Sequence, residues 1–202
     1  MKPTPYKGTQ LAATVFAVAL SYGGPAFSQS FTIANGQTAG QQTMNNAGDV
    51  GTVTSGGTIE TFNAGENAVQ MFNGGQRLTN SGRIGTFGGN VSDVNSQGDD
   101  ATIINNGLIY GAGSGSIGVQ SSGADANIVN NGSFLTIGDG SIGIVAAGNN
   151  ARIVNTQSIE AVGNNATFGI ISDGVGANVD NRGFIGVSGT ASVAIIGDRK
   201  ST

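Results

Sequence analysis

The residues that could carry chemistry in this 202-residue chain are few, because it has neither histidine nor cysteine. The commonest general base and the commonest zinc ligand are missing, and no disulfide or thiolate metal site can form. Serine, arginine, carboxylates and side-chain amides are left. A Ser-His-Asp triad is impossible, and no Ser-x-x-Lys occurs. The string "GDGS" (Gly138–Ser141) superficially resembles an esterase nucleophile loop. A weaker copy, "GSGS" (Gly113–Ser116), stands one repeat earlier, which marks both as a recurring corner.

Carboxylates offer two further chemistries. A polysaccharide-cleaving site would need an acid and a base close together on one outer face. Glu60 and Glu160 fall in one column of the repeat described below, but four units apart, about 19 Å at the spacing of β-strands. That is too far for a pair, and Arg77, Arg83, Arg152 and Arg182 are scattered over several registers. A calcium site could use Asp99, Asp100, Asp125 and Asn149–Asn150, all oxygen donors near one register. The nonapeptide of calcium-binding β-rolls is absent, so these residues read as a polar turn. No phosphate-binding glycine loop is present either. No catalytic, cofactor-binding or metal-ligating residue is assigned, and no cofactor is expected.

The elements that would position any site follow from composition and period. Glycine contributes 36 residues and charged residues only 10%, with Val, Ile and Ala dominating the apolar set. This mixture suits β-structure with many turns. A net charge of −4 provides no basic footprint for nucleic acid. At the N-terminus, Lys2 and Lys7 precede the apolar run "LAATVFAVAL" (Leu11–Leu20), and "AFS" (Ala26–Ser28) supplies small residues before Gln29. This is the layout of a secretory signal peptide over residues 1–28. Its removal takes two of the eight basic residues, leaving six against twelve acidic and a net −6. The chain is expected to be exported.

An internal repeat organises the rest. Val53, Leu78, Ile103, Ile128, Ile153 and Val179 recur at steps of 25, 25, 25, 25 and 26 along the chain. Two positions on stand Ser55, Asn80, Asn105, Asn130, Asn155 and Asn181. Further columns hold Ile59, Ile84, Ile109, Phe134, Ile159 and Ile185, and Val69, Val94, Val119, Ile144, Ile170 and Ile195. Units such as "SIGVQ" (Ser116–Gln120) predict short strands whose Ile and Val share one face. Too few leucines occur for a leucine-rich repeat, so the period predicts an all-β parallel β-helix of about six rungs. Residues 29–52 fit the period poorly and are expected to form an N-terminal cap or irregular first rung. Residues 53–202 carry the repeats. The recurring asparagine predicts an inward ladder, each amide donating to one neighbouring rung and accepting from the other. The glycine two positions on (Gly82, Gly107, Gly132, Gly183) lets the chain leave the corner. Thr156-Gln157 breaks that pattern, so rung five should turn differently.

The signal peptide, the opening "FTIANGQTAG" (Phe31–Gly40) and the repeated "I-x-N-x-G-x-I" and "I-G-I/V" units resemble the passenger domains of bacterial autotransporters. The resemblance implies a right-handed parallel β-helix displayed at, or released from, a Gram-negative outer membrane. It implies a structural or adhesive scaffold without catalysis, with a host-surface glycan or protein as partner. The alternatives are a polysaccharide-active β-helix enzyme, or a non-functional product lacking its translocator. The family exports its passenger through a C-terminal β-barrel, and this sequence stops at "GDRKST" (Gly197–Thr202) without one. A truncated C-terminal end is therefore expected, with contact to the outer membrane only through a barrel missing from this chain. The expected location is the cell surface, outer membrane or exterior, or the periplasm without a barrel.

Overall fold

In the computed structural model, residues 29–197 are described, and the expected signal peptide lies outside them. Twenty-one strands, from β1 (Phe31–Ile33) to β21 (Val193–Gly197), form three parallel seven-stranded sheets, here A, B and C. No helix occurs among the described residues. Each coil gives one strand to each sheet, and six turns separate the first coil from the seventh. In coil 4 these strands are Thr102–Asn105, Leu108–Ala112 and Ile117–Ser121. Strands one period apart pair in register from coil 3 onward, for example Ile103 with Leu78 and with Ile128. The parallel β-solenoid expected from the period is the fold.

Stacking in register turns each sequence column into a physical one. Ile59, Ile84, Ile109, Phe134 and Ile159 run down the inside of sheet B, all buried. Val69, Val94, Val119, Ile144 and Ile170 do the same inside sheet C. Each such side chain contributes about 1.5–3 kcal/mol of hydrophobic burial before entropy is counted.

Two expectations need correction. First, Val53 pairs with Asn80, and Gly51 pairs with Leu78. The early step of the repeat in sheet A is therefore two positions longer than the later ones, and Ser55 is not in the asparagine column. The physical reason is a different corner. Coils 1 and 2 turn from sheet A to sheet B through four residues, Ala34–Gln37 and Thr54–Gly57, closed by Gln37 N–H to Ala34 O and Gly57 N–H to Thr54 O. Gly36 and Gly56 take φ of 76° and 78° there, a region that disfavours a Cβ. From coil 3 onward only two residues separate these strands, as Ser81 and Gly82 do between Asn80 and Arg83. The space beside Gly51 is filled by the Phe31 ring, which comes within 2.5 Å of where a Cβ would stand.

Second, the Ile and Val of the "IGV" units do not share a face. Ile117 and Ile142 are half-buried on the outside, whereas Gly118–Val119 and Gly143–Ile144 are buried as consecutive pairs. Two successive inward residues break strict alternation. The first of each pair is glycine because a neighbour needs the room: a Cβ on Gly118 would lie 2.6 Å from the Phe134 ring, and one on Gly143 would lie 2.4 Å from Ile159 Cγ2.

Candidate functional site

The asparagine column forms a continuous ladder inside the solenoid. Asn80 Nδ2 donates to Asn105 Oδ1 at 2.8 Å, Asn105 to Asn130 at 2.9 Å, Asn130 to Asn155 at 2.8 Å and Asn155 to Asn181 at 2.7 Å. The first four of these residues are essentially fully buried. The direction of the ladder is set by the backbone. Gly82, Gly107 and Gly132 donate their N–H to the Oδ1 of the asparagine two positions earlier. The glycines themselves answer to close approach: a Cβ on Gly107 would sit 2.2 Å from Gly82 O. At the corner carrying Gln157, Asn155 Nδ2 also reaches Gln157 O, as Asn181 Nδ2 reaches Gly183 O. The corner keeps the two-residue length of its neighbours, so the different turn expected there is not seen. The amides of Asn80, Asn105, Asn130 and Asn155 are spent on coil-to-coil ties.

The other sequence candidates fall on structural duties or stand apart. Ser116 and Ser141 are buried and donate to Gly113 O and Gly138 O at 2.7 and 2.6 Å. Such hydroxyls are closed off as nucleophiles. Asp100, Asp125 and Asn150 occupy one column with φ of 56° or 57°, where Gly48, Gly75 and Gly176 stand in other coils. Asp and Asn tolerate this left-handed conformation better than most side chains, which accounts for the acidic register. Asp99 Oδ1 accepts from Ala124 N, and Asp125 Oδ1 from Asn150 Nδ2. Among the described residues no three acidic groups converge. Glu60 and Glu160 share a column through Gly85, Tyr110 and Leu135, four coils apart. Glu60 is paired with Arg83 at 3.0 Å. Arg152 reaches Asn127, and Arg182 pairs with Asp180. Arg77 and Arg152 share one outward column of sheet A, three coils apart.

Two features escaped the sequence reading. Asp93 is fully buried in the core, where Thr86 Oγ1 donates to its Oδ1 at 2.7 Å while Oδ2 has no partner. Burial pushes its carboxyl well above the usual carboxylate range, against opposing hydrogen bonds with the Thr86 side chain and backbone. Its space is made by Gly111, whose Cβ would lie 3.1 Å from Asp93 Oδ2. The residue pairs at this spacing in neighbouring coils are Ala68/Thr86, Gly118/Thr136 and Gly143/Ala161, small before larger; Asp93/Gly111 alone is inverted. Volume is conserved across the pair. The inversion was visible in the alignment of repeats, but only packing gives it meaning.

The second feature is a cluster outside sheet B. Phe62 and Phe87 stack with centroids 5.1 Å apart, Tyr110 continues the row at 5.5 Å, and Arg83 lies over both Phe87 and Tyr110. Phe62 is 67% exposed. Its spacing of one period from Phe87 was the available signal. Phe87 is covered by Phe62 and Arg83, while Phe62 at the end of the row stays largely open to solvent.

Around the next corner, between sheets B and C, lies an open cleft of ≈ 380 Å³ crossing coils 2 to 4. Its polar lining is made of Asn67, Asn90, Ser92, Asn95 and Gln120, without a charged side chain. Farther along, the outer face of sheet C changes character. The column of Asn67 and Ser92 continues as Ile117, Ile142, Phe168 and Val193, and that of Asn95 and Gln120 as Val145, Ile171 and Ile196. On the outer face of sheet C the polar columns thus give way to aliphatic and aromatic ones. Comparison with known protein families, with curated proteins and with solved structures finds no match to this chain.

Proposed function

We propose that this chain is an exported, non-catalytic β-helical scaffold of the autotransporter-passenger kind, presenting recognition surfaces on the outside of a Gram-negative cell or in its surroundings. One observation carries the reading. The repeated inward amides and corner serines are consumed by ties within the solenoid, so recognition is left to the outer columns. The separation of Glu60 from Glu160 gives a polysaccharide-cleaving reading no acid–base pair. Contact with the membrane itself belongs to a barrel translocator supplied by residues other than these. A host-surface glycan or protein is the partner.

The test is display on intact cells. An epitope tag in the exposed Asn63–Gly65 corner should be labelled by antibody, and removed by added protease, without permeabilising the outer membrane. Labelling only after permeabilisation would place the chain in the periplasm and overturn the reading.

A further inference from the structure

The cleft between sheets B and C gathers side-chain amides with hydrogen-bonding groups left unused. Ser92 acts as a strut: its N–H donates to Asn67 Oδ1 at 2.8 Å, and its hydroxyl donates to Gln120 Oε1 at 3.0 Å. Both bonds hold the amide oxygens, and so leave Asn67 Nδ2 and Gln120 Nε2 as oriented donors. The side-chain amides of Asn90 and Asn95 make no hydrogen bond to any described residue, and both line the same cleft. Asn90 has φ of 56° at a position that is Gly65 or Gly115 in the adjoining coils. The left-handed corner tolerates asparagine but does not require it.

Apart from Asn67, whose Oδ1 satisfies the Ser92 N–H, stacking does not need polar side chains here. In the same columns, coils 5 and 6 carry Ile142, Val145, Phe168 and Ile171 with identical register. Asn95 and Gln120 thus stand where the solenoid accepts aliphatic residues, and Asn90 where the adjoining coils carry glycine, so stacking does not require these three amides. Their chemistry selects a ligand. No cation lines the cleft to neutralise a phosphate, sulfate or carboxylate, and no carboxylate is present to hold a metal or ammonium group. A mainly apolar ligand would leave the amides unpaired. Amides that both donate and accept, beside the aliphatic edge of Ile117, match a neutral polyhydroxylated ring with its hydroxyl rim and C–H face.

We propose that this cleft is a binding site for a neutral saccharide, engaged at one or two rings by Asn67, Asn90, Asn95 and Gln120. The proposal specifies the partner of the scaffold reading above. It is tested on purified protein, so failure of display and failure of sugar binding are separate results.

The probes are neutral hexasaccharides of glucose, mannose, galactose and N-acetylglucosamine, with a heparin hexasaccharide as the charged comparison. Binding is followed by saturation-transfer NMR and calorimetry. Asn95→Val and Gln120→Val copy Val145, the residue of the same column in coil 5, so each should fold as the parent does. Asn67 is left unchanged because its Oδ1 accepts the Ser92 N–H. Asn131→Ala, at the distant corner between sheets A and B, is the control. At least one neutral hexasaccharide should bind the parent and the control alike, and the two Val substitutions together should weaken it about tenfold or more with an unchanged melt. The proposal is overturned if none of the four neutral sugars binds. It is equally overturned if binding survives the cleft substitutions, or if heparin binds as tightly.

Discussion

Replacing Asn105 by aspartate tests the ladder most directly, because it changes one nitrogen to oxygen with almost no change of shape. Asn105 Nδ2 donates to Asn130 Oδ1 at 2.9 Å and to Ser133 O at 3.2 Å, while its Oδ1 accepts from Asn80 Nδ2 and Gly107 N. Aspartate keeps the accepting half and loses both donated bonds. A carboxylate oxygen then faces two acceptor oxygens in a fully buried site. Asn130 cannot rescue it by flipping its amide, because Gly132 N holds Asn130 Oδ1 in place. Two lost bonds at about 1–3 kcal/mol each, plus a carboxylate with no cation beside it, give a loss of about 3–5 kcal/mol at neutral pH. For a chain of this size that is a fall in Tm of roughly 10 °C. Burial raises the folded-state pKa of the new carboxyl, so its penalty is absent in acid and grows as pH rises. The protonated acid can donate again to Asn130 Oδ1. Asn181→Asp is the internal control: Asn181 is exposed, accepts from Asn155, and donates only to its own Gly183 O. Chemical denaturation of both variants and the parent at pH 4 and pH 7 is the assay. Equal, small effects of the two substitutions at pH 7 would refute a cooperative buried ladder.

Asp93 carries a pH signature of its own. Its folded-state pKa lies above the unfolded value of about 3.9, so stability is highest in acid and falls as pH climbs from there toward the folded value. Denaturation between pH 4 and 8 should show a steeper decline for the parent than for Asp93→Ala. Gly111→Thr should destabilise the parent by about 1–3 kcal/mol, since its Cβ would press on Asp93 Oδ2 at 3.1 Å and Ser116 Cβ at 3.0 Å. In the Asp93→Ala background the cost should shrink; strict additivity of the two changes in a double-mutant cycle would contradict the shared-volume account. Gly107→Ala should cost about 3 kcal/mol by pushing on Gly82 O, whereas Gly40→Ala, with no atom within 4 Å of its Cβ, should leave the melt nearly unchanged.

Repeat period and residue type sufficed for the solenoid because in-register stacking converts a column of letters into a column of side chains. The asparagine at 80, 105, 130, 155 and 181 is legible for that reason: a buried amide can recur only if its neighbours satisfy it. The same logic failed at Val53, where an apolar residue two positions before a polar one imitated the later motif. The longer corner at Thr54–Gly57 shifts the pairing by two positions, and that shift is decided by hydrogen bonding across the turn. Alternation also misled at Gly118, because two successive residues, Gly118 and Val119, face inward together, as Asp93 and Val94 do in coil 3.

The sequence by itself determined that this is an all-β repeat with an internal amide ladder and without histidine or cysteine chemistry. Both follow from local composition and from a period that every coil must share. Only the tertiary structure decided which polar residues are consumed and which remain free. Ser116, Asp99 and Asn105 are tied within the corners and core, Asp93 lies buried over Gly111, and Asn67, Ser92, Asn95 and Gln120 meet at one cleft. Those residues come from three successive coils. Their proximity depends on how coils stack and how corners turn, which no single repeat contains.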